Sequence, residues 1–64
     1  MEIKVGTKVR YKTDMDNELN LIAIEHHPSE IYDTWLCVYP FGHSKTGECI
    51  LFECFTEDLK LGWQ

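Results

Sequence analysis

The sequence predicts a single all-β domain, a small five-stranded barrel with one short helical turn before its last strand. Three observations lead there. The chain is 64 residues long, which suffices for one core and no second domain. Its apolar segments are short and are bounded by clusters of Gly, Pro, Asn, Asp and Ser, the punctuation of strands. No window sustains a helical stripe. In the best one, residues 17–27, Leu19, Ile22 and Ala23 align, but Leu21 and Ile24 interrupt the polar face, and paired isoleucines favour a strand.

The elements follow in order. Residues 7–12, TKVRYK, alternate, with Val9 and Tyr11 on one side and Lys8, Arg10 and Lys12 on the other. Residues 13–18, TDMDNE, form an acidic loop. Residues 19–26, LNLIAIEH, make a second strand, and residues 27–34, HPSEIYDT, a second loop in which Pro28 opposes regular continuation. Residues 35–41, WLCVYPF, are the third strand. A turn with a glycine at each end, residues 42–47, leads to the fourth strand, ECILFECF, residues 48–55. TEDL, residues 56–59, reads as one helical turn opened by a Thr cap with acids behind it. KLGW, residues 60–63, supplies a short fifth strand.

Strand alternation divides the third strand into Leu36 and Val38 on one face and Trp35, Tyr39 and Phe41 on the other. The aliphatic pair is the expected core face, joined by Ile50, Phe52 and Cys54 of the fourth strand. Trp35, Tyr39, Leu51 and Phe55 then form an exposed apolar face, unless the barrel curls enough to cover both sides. Exposed aromatic patches mark contact surfaces.

This architecture resembles the SH3-like small barrels, among them the Tudor and KOW-type domains, over nearly the whole chain. VGTKVRY, residues 5–11, is similar to their opening, and FTEDLKL, residues 55–61, to their closing turn and strand. The first loop is not of the ALYDY type, and one Trp rather than two heads the third strand, so the resemblance does not imply binding of proline motifs. A Tudor-type aromatic cage would draw on Tyr11, Tyr32, Trp35 and Tyr39.

Composition narrows the function. Eleven Asp and Glu against six Lys and Arg leave a net charge of −5, which suits a basic protein surface better than a phosphate backbone. No apolar run approaches the eighteen or so residues of a membrane span, and the N-terminus lacks the apolar block of a signal peptide. A cytoplasmic location without membrane contact is expected. Three cysteines, an odd number, fit a reducing compartment.

Metal binding, calcium binding and catalysis each meet an obstacle. Cys49 and Cys54 have a permitted ligand spacing but point to opposite faces of a regular strand, as do His26 and His27, and Cys37 has no paired ligand nearby. Reduced, partly buried thiols are the simpler reading. Asp14, Asp16, Glu18, Asn20 and Glu25 fall at positions of a calcium loop, but Leu19 occupies the place of its required glycine. Cys37 and His43 lack a cation or helix N-terminus to activate the thiol. No enzyme activity, cofactor or metal is expected.

The expected function is a non-catalytic protein-binding module, a stand-alone regulator or adaptor of the kind bacteria and mobile elements make. Its contact residues are Tyr11, Asp14, Asp16, Glu18, Tyr32, Trp35, Tyr39 and Phe55, and its partner is a protein with a basic surface. One alternative is a KOW- or Tudor-like nucleic-acid module using Lys4, Lys8, Arg10 and Lys12. Others are an acidic inhibitor seated in the basic groove of a nucleic-acid enzyme, and a small metal-binding protein. An open edge strand would allow a homodimer.

Overall fold

The computed structural model describes residues 2–12, 17–43 and 45–64, with His43 described by its backbone. The elements are β1 (Lys8–Lys12), β2 (Glu18–Pro28), β3 (Asp33–His43), β4 (Cys49–Phe55), a 3-10 turn (Thr56–Asp58) and β5 (Leu59–Leu61). The five strands form one antiparallel sheet in the order β4-β3-β2-β1-β5. The all-β class, the five strands and the single helical turn therefore agree with the sequence. β4 and β5 end the hydrogen-bonded order and are not paired with each other among the described residues. No helix among them is long and apolar enough to cross a membrane.

Val9, Leu21, Ala23, Trp35, Cys37, Cys54 and Leu59 make the core, with Ile3, Tyr11, Leu19, Tyr39 and Phe52 packed against it. A flat single sheet would leave both faces wet. Here Val9, Leu21, Ala23 and Cys37 are fully buried, so the sheet coils over its own inner face. Cross-strand neighbours line that face: Val9 opposes Leu21, Ala23 opposes Cys37, and Trp35 opposes Cys54.

Two features place the strands in register. Between Ala23 and Glu25 the β2–β3 ladder shifts by one residue at Ile24, a bulge that adds twist and bends the strand. Ala23 before it and His26 after it lie opposite Cys37 and Trp35, Ala23 buried and His26 exposed, whereas Glu25 and His27 lie on the other face. At the far end of the hairpin, Ser29 Oγ accepts the amides of Ile31 at 3.2 Å and Tyr32 at 2.8 Å, closing a tight turn.

Several expectations need correction. The inward face of β3 carries Trp35 and Cys37, and Leu36 and Val38 are only half-buried on the outer face. Cys49 is exposed and does not fill the core. The loop predicted over 27–34 shrinks to 29–32, because β2 runs through Pro28 and β3 begins at Asp33. Proline is tolerated there because it is the terminal residue of its strand. Thr56 does not cap the 3-10 turn. Phe55 holds the cap position without a side-chain bond, and the Thr56 hydroxyl is buried without a protein partner.

Candidate functional site

The β2–β3 turn and the β4–β5 connection meet at one end of the sheet. Between them lies an open groove of about 560 Å³ lined by Ile31, Tyr32, Asp33, Phe55, Thr56 and Glu57. Ile31 is 80% exposed, Tyr32 59% and Phe55 44%. The Tyr32 and Phe55 rings pack in a tilted pair with centroids 5.6 Å apart. Asp33 and Glu57 add carboxylates to the apolar wall. Two of the predicted contact residues, Tyr32 and Phe55, thus come together, beside Ile31, Asp33 and Glu57, which sequence reasoning did not single out. Ile31 and Tyr32, an apolar pair inside a turn, were the available signal.

The other predicted contact residues lie elsewhere. Trp35 is 5% exposed and belongs to the core. The exposed His26 ring stacks on its indole at 4.6 Å and 13°. His26 Nε2 in turn bonds Asp33 Oδ1, which links the core tryptophan to the groove wall. Tyr11 and Tyr39 pack partly against the core. Tyr39 meets Phe41 edge-on at 5.5 Å, and Phe41 meets Trp63 at 5.2 Å, forming a second aromatic cluster apart from the groove residues. Asp14 and Asp16 fall outside the described residues. Glu18 is half-buried, 3.8 Å from Arg10 and 3.5 Å from Lys60.

The basic residues named for nucleic acid are dispersed in their contacts. Lys8 Nζ sits over the Trp63 ring at 4.8 Å, Arg10 faces Glu18, and Lys4 lies 4.0 Å from Glu2. Lys12 closes β1, opposite Glu18.

The outer face of β2, β3 and β4 carries a polar cluster whose members, His27, Glu25, Glu53 and Thr34, strand pairing alone brings together. His27 Nδ1 lies 2.7 Å from Glu53 Oε1, and its Nε2 lies 3.3 Å from Glu25 Oε1. Thr34 Oγ1 donates to the same Glu53 oxygen at 2.7 Å. Both ring nitrogens can donate only when the imidazole is protonated. Accordingly Glu53, then Glu25, raise the His27 pKa above its ordinary value. The Thr34 hydroxyl, then His27, hold Glu53 below the usual carboxylate range. Because the two carboxylates lie on opposite sides of one ring, the three groups do not converge on a single ion. No group of three or more His, Cys, Asp or Glu placed to hold a metal occurs among the described residues.

Cys37 and Cys54 are both buried thiols. Cys37 Sγ donates to Trp35 O at 3.7 Å, and the hydrogen bond with Cys37, together with burial, pushes the Cys54 thiol up. A thiol held protonated is a poor nucleophile. No family model matches the chain, and no curated protein or solved structure matches it either.

Proposed function

We propose that this chain is a non-catalytic protein-binding module that docks a partner bearing a basic surface in the groove of Ile31, Tyr32 and Phe55. The supporting observation is that three large apolar side chains, each well exposed, line one cavity whose remaining wall includes Asp33 and Glu57. Isolated apolar residues on a surface need no explanation, but a contiguous aromatic patch with a polar rim has the composition of an interface hot spot. The net charge of −5 favours approach of a cationic partner. The nucleic-acid reading has less support, since Lys8 covers an aromatic ring and Arg10 faces a carboxylate.

The test is affinity capture from the native host with wild-type bait and with Tyr32→Ala and Phe55→Ala baits. A partner retained by wild type and lost from both variants, and released as salt rises, is the expected result. Equal retention by all three baits would overturn the reading. Each substitution removes one ring of a partly exposed pair, at a cost of about 1 kcal/mol, and a thermal melt of each bait checks that it remains folded. Trp35→Ala is unsuitable as a bait because it removes a core residue, at a cost of about 3–5 kcal/mol.

A further inference from the structure

The two sheet edges are unlike. β5 is three residues long and carries Lys60, two of the devices by which natural sheets discourage pairing. β4 is seven residues long, CILFECF, with no Pro, Lys or Arg. Its one charge is Glu53. It stands last in the strand order, so the backbone groups on its outer side lie beyond the β3 ladder. On its outer face Leu51 is 50% exposed and Phe55 is also open. Leu51 continues a row of directly opposed apolar residues, Ile22 with Val38 and Val38 with Leu51, so the apolar surface runs out to this edge. Phe55 is at once the last residue of β4 and a wall of the groove. An extended segment laid along β4 would therefore lead into the groove.

The charge on β4 selects the occupant. In a symmetric antiparallel pairing of two β4 strands, opposed residues must share a face. Centred on Phe52, such a pair sets Glu53 against Leu51 of the copy. Centred on Leu51, it sets Glu53 against Cys49. Centred on Glu53, it opposes two carboxylates. Glu53 already shares the His27 imidazole of its own chain with Glu25, which lies on the same face beyond Leu36. Two carboxylates thus face one imidazole, and no such register adds a cation from the copy. Like charges directly opposed are destabilising, whereas an opposite charge at that position is favourable.

We infer that β4 accepts an extended segment of a partner protein as a sixth strand, with a Lys or Arg opposite Glu53 and apolar residues opposite Leu51 and Phe55. This rests on the protein-binding reading above and names the form of the partner. Backbone bonds along the edge supply affinity, and the alternating apolar, cationic, apolar pattern supplies specificity.

The probe is a capped seven-residue peptide, Thr-Leu-Thr-Lys-Thr-Leu-Thr, whose symmetry about the lysine fits either strand direction. It is titrated to about 1 mM into the isotope-labelled wild-type protein while amide shifts and hydrogen exchange are followed. The expected result is saturable binding with slowed exchange at alternate amides of β4. Replacing the central lysine by glutamate should weaken it on the order of tenfold, and N-methylating alternate peptide amides should abolish it. Three results overturn the inference. One is no protection of β4 amides. Another is equal binding of the N-methylated peptide. The third is protection of β4 that grows with protein concentration in the absence of peptide, which assigns the edge to a second copy. Shifts confined to Ile31, Tyr32 and Glu57 would sink edge pairing while leaving the groove reading intact, and the capture experiment judges that reading separately.

Discussion

Glu53 stays ionised at the centre of the outer sheet face because Thr34 and His27 both bond the same carboxylate oxygen. The His27 pKa is raised for the complementary reason, since the ring lies between Glu53 and Glu25. These two shifts predict a stability profile. A group whose folded pKa is raised stabilises fully below its unfolded value, and the gain is lost as pH rises through the folded value. For His27 the loss begins above the ordinary value of 6.5. A group whose folded pKa is depressed stabilises above its unfolded value, and the gain is lost as pH falls through the folded value. For Glu53 the loss begins below the ordinary value of 4.5. Both contributions are whole between these limits, so the melting temperature should peak in mild acid and decline on either side. The amplitude is small because both side chains are exposed to solvent. Glu53→Gln should flatten the alkaline decline when thermal melts are compared across pH. An unchanged decline would assign it to other groups.

At the level of elements, β5 is held by few bonds, and one glycine sets its exit. Gly62 has φ 85°, and its amide donates to Lys8 O at 2.8 Å. A methyl group at Gly62 would meet no atom within 4 Å. The cost of Gly62→Ala is therefore one of backbone conformation alone, about 1–2 kcal/mol. Urea melts should show a lower midpoint at unchanged slope, and no change in midpoint would mean that the turn relaxes to negative φ. The strands themselves were legible because β1 alternates polar and apolar residues and the other apolar segments are short and bounded by turn residues, and the turn at Gly47, with φ 85°, is where the glycine pair marks it. What alternation cannot give is which face points inward. On β3 the aliphatic residues Leu36 and Val38 suggested one side, but the coil of the sheet, helped by the bulge at Ile24, turns Trp35 and Cys37 inward instead. The groove was half legible for a similar reason. Tyr32 and Phe55 are conspicuous as single residues, but Asp33 and Glu57 join them only because two connections far apart in sequence meet in space.

A molecule built from one coiled sheet has no second layer to seal its core, so the chain's last segment carries much of that task. Val9 at the start opposes Leu61 near the end, and Leu59 is buried in the common core. Beyond β5, Trp63 Nε1 donates to Leu21 O at 2.8 Å, and Gln64 exchanges bonds with the Asn20 side chain, giving its amide at 3.2 Å and accepting at 3.3 Å. These contacts tie the last residues to β1 and β2, the strands that also present Val9, Leu21 and Ala23 to the interior. Burying one leucine contributes about 1.5–3 kcal/mol, and each hydrogen bond about 0.5–1.5 kcal/mol. A domain of this length holds on the order of 3–10 kcal/mol in all. Removing residues 59–64 should therefore abolish cooperative unfolding of the whole sheet rather than fray one edge. Circular dichroism and amide-proton dispersion of the shortened chain check this, and a sigmoidal melt with dispersed β2 and β3 amides would refute it. Adding residues 56–64 as a separate peptide should restore the dispersed spectrum, because the missing strand pairs with β1 through backbone bonds that do not require a covalent link.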